Sequence, residues 1–295
     1  MSVIAVIFDY DDTLVPDSTT QLLKHHDIDT KKFWGSDFKD LVKNKGYDPP
    51  LAYLKLILDN IGEDKPLGNL NNKRLREVGA TIEETMYPGV KNLFDDLRSI
   101  VKRYNDKGLE VSIEFYIISG GLEEVILGNE FLKNNCQGIY GCRLIGDTED
   151  SELKYIKRII TFTEKTRYLF EINKGIPQEV SDSSPDAVNT HVEETKRRVS
   201  FDNMIYVGDG YSDIPCFSLI MKASNDKGDV FGVYHNRGSK SDRLNVFTNI
   251  IKARRVRCIG SPNYNADKIL GDHIRLAVEN NCTNLLKKTR APYNC

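Results

Sequence analysis

The stretch that decides the fold is Val3-Ile4-Ala5-Val6-Ile7-Phe8-Asp9-Tyr10-Asp11-Asp12-Thr13-Leu14. Its first half is an unbroken apolar run, mostly β-branched, and that pattern fits a parallel strand covered on both faces. The run stops abruptly at Asp9. No basic region precedes it, so it reads as a buried strand and not as a secretory signal peptide. In an open α/β sheet, ligands sit beyond the carboxyl ends of the strands. Asp9 and Asp11 are therefore candidates for chemistry.

Outward from this strand, residues 16–86 switch to helical periodicity. Ser18 reads as an N-cap ahead of Leu22 and Leu23. Phe33, Trp34, Phe38 and Leu41 mark one apolar face; Leu54, Ile57, Leu58 and Ile61 mark another; Leu75, Val78 and Ile82 mark a third. The aromatic group reads as the core of this helical insert. Tyr87-Pro88-Gly89 closes it, and an amphipathic helix follows through Val90, Leu93, Phe94, Leu97, Val101 and Tyr104. The expected division is a core of 1–15 and 87–295, with a C-terminal helical tail from about 252, and a helical insert at 16–86.

Two more apolar runs end in polar clusters. Ile113–Ile118 leads to Ser119-Gly120-Gly121, where a helix is expected to begin. Met204–Val207 leads to Gly208-Asp209-Gly210-Tyr211-Ser212-Asp213. A hairpin is expected over 139–162, a helix over 163–172 capped by Thr163, and a strand near Val230–Tyr234. Residues 175–200 read as a surface loop with a helix from about Asp186 to Arg198. Strands alternating with helices predict an α/β fold, a Rossmann-like parallel sheet with helices on both faces. The C-terminal helical region, about 265–286, either mediates a homodimer or covers the sheet.

Composition narrows the function. The chain has 295 residues, enough to bury a core without disulfides or a structural metal. Its 41 basic and 43 acidic side chains nearly cancel, which argues against a broad nucleic-acid footprint. No apolar run approaches a membrane span. The six cysteines form no CxxC pair and read as reduced thiols of a cytoplasmic protein. The histidines show no ligand spacing and take ordinary surface or core roles.

The three clusters share one chemical logic. Asp9, Asp11 and Asp209 would crowd carboxylates together, and a hard dication such as Mg²⁺ relieves that repulsion through oxygen ligands. Asp9 can then act as a carboxylate nucleophile toward a phosphorylated substrate. Asp11, two residues on, points to the same side in extended backbone and can serve as general acid and base. Ser119 and Gly120 suit an anion at a helix start. A lysine would balance the phosphate charge. Lys165, in the first turn of its helix, is the first choice and Lys174 the second.

Phe8-Asp9-Tyr10-Asp11-Asp12-Thr13-Leu14 resembles motif I of the haloacid dehalogenase-like superfamily. Ser119 resembles motif II, Lys165 the motif III lysine, and Gly208-Asp209 with Asp213 motif IV, all in order. The resemblance covers residues 1 to about 235 and is nearest to the phosphoserine phosphatase-like branch. It implies magnesium held by Asp9, the Asp11 carbonyl and Asp209, with Thr13 and Asp213 in support. It also implies that 16–86 is a type 1 cap and that the reaction is hydrolysis of a small phosphomonoester. A phosphotransferase or mutase on the same core, or a non-catalytic phosphometabolite-binding protein, is the alternative. The chain departs from the pattern at Asp12, where the family often has glycine or a small residue. Val15-Pro16-Asp17-Ser18 also lacks the glutamate with which phosphoserine phosphatases read their substrate.

Overall fold

The structure, a computed structural model, describes residues 2–235 and 247–290. A seven-stranded sheet organises it in the order β4-β3-β2-β1-β5-β6-β7. The strands are β1 (Ser2–Phe8), β2 (Val111–Leu122), β3 (Gly138–Ile145), β4 (Tyr155–Arg158), β5 (Met204–Gly208), β6 (Asp229–Val233) and β7 (Cys258–Gly260). All neighbouring pairs are parallel except β3 and β4, which are antiparallel. That antiparallel edge is the hairpin expected over 139–162.

The apolar run at the N-terminus lies at the centre of the sheet. Ser2–Phe8 pairs with Val111–Ile117 on one side, and Ala5–Phe8 pairs with Met204–Val207 on the other. Ile4, Ala5, Val6, Ile7 and Phe8 are fully buried. Each of the larger ones contributes about 1.5–3 kcal/mol by leaving water, which explains why no polar residue interrupts the run. Asp9 thus emerges between the ends of β2 and β5, which carry Ser119 and Asp209.

Before the next strand the chain is helical. Its main helices are α1 (Ser18–His25), α2 (Phe38–Lys43), α3 (Pro49–Asp59) and α4 (Asn72–Ile82). A π-helical segment, Phe33–Asp37, precedes α2 and carries Trp34, which packs edge-on against Phe33 and Phe38. The α1 cap is Asp17, not Ser18. Asp17 Oδ1 accepts from the Thr20 N–H at 2.5 Å, while the Ser18 N–H is taken by Asp11 Oδ1 at 2.7 Å. Both residue types cap well, and the bond to Asp11 decides between them. The helix α4 lies backbone to backbone on α6 (Glu123–Leu127). A Cβ on Gly79 would meet the Val125 carbonyl at 2.0 Å, and one on Gly128 would meet the Arg76 carbonyl at 2.1 Å. Only glycine allows this approach.

The core helices follow the expected faces. The helix α5 (Val90–Asn105) starts after Gly89 (φ 82°) and buries Val90, Leu93, Phe94, Leu97, Ile100 and Val101. Phe94 stacks on Phe8 and Phe115. After the short α6 come α7 (Glu130–Asn135), α8 (Glu164–Lys174), α9 (Gln178–Ser183), α10 (Ile214–Ala223) and the long α11 (Ile269–Arg290). The helix α11 packs on α5, β6 and β7, covering that side of the sheet. Thr163 stands at the α8 cap position without a side-chain cap bond; Thr161 Oγ1 accepts from the Glu164 N–H instead.

Two expectations are corrected. Residues 122–131 form no single helix beginning at Ser119. The strand β2 continues through Ser119-Gly120-Gly121 to Leu122, with an irregular register against β3 between Ile118 and Leu122. Between 186 and 198 the chain forms two short 3₁₀ turns, not a helix. Side chains pin this excursion where regular structure does not. Lys174 Nζ donates to the carbonyls of Val188 and Thr190 at 2.5 and 2.8 Å, and Asn173 Nδ2 donates to Val199 O at 2.7 Å.

Cys136, Cys142, Cys216, Cys258 and Cys282 are free thiols; Cys295 lies outside the described residues. Among the described residues no helix is long and apolar enough to cross a membrane.

Candidate active site

The three central strand ends converge as the sequence predicts. Asp9 follows β1, and its N–H donates to Val207 O on β5 at 2.9 Å, which fixes the main chain of the two acidic loops against each other. Carboxylate oxygens of Asp9, Asp209 and Asp213 all lie within 4.8 Å of one another. Asp9 and Asp213 are buried.

Lys165 reaches this group from α8. Its ammonium pairs with Asp9 Oδ2 at 2.8 Å and Asp213 Oδ1 at 2.8 Å, and lies 3.3 Å from Ser212 Oγ. Burial works against its charge, but the two carboxylates outweigh it and hold the lysine above its ordinary range. Lys174, the second choice from sequence, is spent on loop carbonyls and does not join the site. Asp213 is itself fixed on three sides. It accepts from Lys165, from the Tyr206 hydroxyl at 2.8 Å and from the Gly210 N–H at 3.2 Å. A Cβ on Gly208 would meet Asp213 Oδ2 at 2.4 Å, so the strand must end on glycine for Asp213 to fold back beneath it.

The remaining carboxylates sit in a hostile medium. Burial first, then the charge of Asp213, pushes Asp9 up to about 6 despite the opposing pull of Lys165. Asp209 is raised well above the usual range by burial and by the charges of Asp9 and Asp213. An oxygen-only donor set whose members drive one another toward protonation fits a hard divalent cation. Asp213 Oδ1 already accepts from both Lys165 and Tyr206, whereas each Asp9 oxygen accepts a single hydrogen bond, from Lys165 and from the Tyr10 N–H, and keeps a lone pair for an ion.

Asp11 faces a different way. Its Oδ1 accepts from the Ser18 N–H at 2.7 Å. Its Oδ2 lies against Gly121, where a Cβ would come within 2.5 Å. Burial, and then the neighbouring Asp17, raises its carboxyl well above the ordinary value. A buried carboxyl raised in this way has the character of a general acid. Ser119 is fully buried, and its Oγ accepts from the Gly121 N–H at 3.0 Å.

Asp12 explains its own departure from the family pattern. Its φ is 53°, the left-handed region, which glycine enters freely and aspartate tolerates better than most residues. Its carbonyl meets His235 Nε2 at 2.5 Å. Thr13 is buried beside it, and the Thr13 carbonyl accepts from the Tyr264 hydroxyl at 2.7 Å. His235, Tyr264, Tyr206 and Tyr53, whose hydroxyl donates to Gly120 O at 2.6 Å, were not anticipated as neighbours of the site. Only the Ser-Asp pair after β5 hinted at an extra polar partner, through its place in the acidic loop.

No family model matches the sequence. The chain is 28% identical over 261 residues to an uncharacterized protein of Borreliella burgdorferi, covering 82% of this chain and 87% of that one. Among solved structures, cytosolic 5′-nucleotidase IIIB bound to cytidine aligns over 95% of this chain and 86% of that chain, with a TM-score of 0.50 and 13% identity. A HAD family hydrolase from Salmonella enterica serovar Typhi aligns over 82% of this chain but only 64% of that chain, with a TM-score of 0.49 and 15% identity. With the central strand ending in Asp9 and the acidic loop after β5 beside it, the chain has an α/β, Rossmann-like fold similar to that of the nucleotidase.

Proposed function

We propose that this protein is a magnesium-dependent phosphatase that hydrolyses a small phosphomonoester through an aspartyl-phosphate on Asp9. The observation that carries the reading is the buried Asp9–Lys165–Asp213 arrangement, with Asp209 completing a group of three carboxylates within 4.8 Å. A merely structural ion pair has no use for a third carboxylate brought into the same buried space.

The Asp9 carboxylate, the Asp11 carbonyl and the Asp209 carboxylate would hold the ion. When bound, Mg²⁺ supplies charge neutralisation that lets a phosphate dianion approach an acidic pocket. The Asp9 oxygen that bonds Lys165 is fixed in rotation, and its partner oxygen accepts from the Tyr10 N–H at 2.7 Å. Attack by an Asp9 oxygen forms the new O–P bond as the ester O–P bond breaks. Asp11 transfers its proton to the departing alkoxide. In the second half, Asp11 takes a proton from water as water attacks phosphorus, the Asp9–P bond breaks, and inorganic phosphate leaves. Lys165 and Ser119 stabilise the phosphoryl oxygens throughout. General acid–base catalysis of this kind contributes about 10²–10⁴ in rate.

The helices of 16–86 would act as the lid. Tyr53 on α3 already touches Gly120, and Ser18 on α1 touches Asp11, so this region borders the reacting groups on two sides. Enclosure would keep bulk water from the acyl phosphate and favour small esters over phosphoproteins. Phosphate release from a panel of phosphorylated metabolites with Mg²⁺, comparing wild type with Asp9→Asn, tests the reading. Equal release by the two proteins would remove Asp9 as nucleophile.

A further inference from the structure

We infer that Tyr53 is a positioning residue that sets the hydroxyl of Ser119 through a single peptide plane. The inference rests on the reading of Ser119 as a phosphate-binding group. Tyr53 is buried on α3, and its hydroxyl donates to the Gly120 carbonyl at 2.6 Å. The Cys142 thiol on β3 donates to the same carbonyl at 3.3 Å while its sulfur accepts from the Ile160 N–H at 3.2 Å. The other end of that peptide unit is the Gly121 N–H, and it donates to Ser119 Oγ at 3.0 Å. One planar group therefore joins Tyr53 to Ser119.

Three features make the link matter. The peptide is rigid, so turning its carbonyl turns its N–H by the same angle. It lies between two glycines, the residues that resist such turning least. It also falls where the β2–β3 register is irregular, between Ile118 and Leu122, so the regular strand ladder does not fix it. The Tyr53 hydroxyl, with Cys142 behind it, supplies the restraint. With its Oγ already accepting the Gly121 N–H, the Ser119 hydroxyl proton is free to point toward a phosphate oxygen. Because Tyr53 belongs to the helical region 16–86, seating of α3 on the core and readiness of Ser119 become one event.

Tyr53→Phe in the full chain tests this, since it keeps the ring that packs beside Trp34 at 6.4 Å and removes only the hydroxyl. Amide exchange at Gly121 is read by NMR without substrate. We expect it to rise several-fold, up to about tenfold, the span of one neutral hydrogen bond. With Mg²⁺ and p-nitrophenyl phosphate, KM and the inhibition constant for inorganic phosphate should both rise several-fold, with kcat changed less. In a Ser119→Ala background the same substitution should add little, because the hydroxyl acts through Ser119. Unchanged Gly121 exchange, or a Tyr53→Phe effect that adds in full to Ser119→Ala, overturns the link. A wild-type protein that releases no phosphate while Tyr53→Phe still raises Gly121 exchange defeats the phosphatase reading and leaves the link standing.

Discussion

Lys165 and Asp213 meet at 2.8 Å in the interior although 48 residues separate them in the chain. Neither side chain has water to fall back on, and each is tied to Asp9's position. The pair therefore reports on folding as well as on chemistry.

Replacing Lys165 with methionine leaves Asp9 and Asp213 buried without their shared cation. Breaking a buried pair from one side costs about 3–5 kcal/mol. Urea titration of Lys165→Met in chelator should show a loss of that order. Addition of Mg²⁺ should recover part of it, because the ion neutralises the same carboxylates.

Gly121→Ala should damage activity more than stability. The new Cβ would stand 2.5 Å from Asp11 Oδ2 and 3.3 Å from Ser119 Oγ, so Asp11 must move. Loss of a well-placed general acid lowers kcat by about 10²-fold or more. The decline should match that of Asp11→Asn, while the thermal midpoint stays near wild type.

Metal binding should be visible without turnover. A ligand at one hundred times its Kd stabilises the folded state by about 2.7 kcal/mol. Mg²⁺ should raise the melting temperature of wild type by several degrees, and EDTA should reverse it. Asp209→Asn should abolish most of the shift. A full shift in that variant would move the ion elsewhere.

A separate ionic cluster predicts a stability effect away from the chemistry. Glu123 is fully buried between Arg143 and Arg158 and also accepts from the Gly141 N–H at 2.9 Å; Asp182 meets Arg158 at 2.5 Å. Glu123→Gln leaves two half-buried guanidinium groups with Asp182 as their remaining anionic partner. Chemical denaturation should show a loss of about 1.5–3 kcal/mol, the span of a charged hydrogen bond, while KM for a small ester is unchanged.

Much of this site was legible from sequence because strand-terminal acids carry their meaning locally. Asp9, Ser119, Asp209 and Asp213 each follow an apolar run, and parallel pairing brings such ends together. Lys165 and Lys174 share one helix, and sequence alone does not say which of them faces the sheet; Asp213 and the 188–190 carbonyls decide it. Ser119-Gly120-Gly121 looks like a helix start, but the strand continues because Leu122 still pairs with Cys142. Ser18 and Asp17 are equivalent caps until Asp11 claims one of them. Tyr53, Tyr206, Tyr264 and His235 are ordinary aromatic residues by spacing. Their hydroxyls and ring nitrogen gain a role only where tertiary packing carries them to a backbone carbonyl or to Asp213. The short strand β7 has too few residues to show a period.

The central claim is a covalent bond between phosphorus and Asp9. An acyl phosphate is reduced by borohydride to an alcohol, which converts the residue to homoserine. The measurement is peptide mass spectrometry after borohydride quenching of the enzyme turning over p-nitrophenyl phosphate with Mg²⁺. The account predicts homoserine at position 9, dependent on substrate and ion. Turnover with position 9 unmodified, or with the reduced residue elsewhere in the chain, would contradict it.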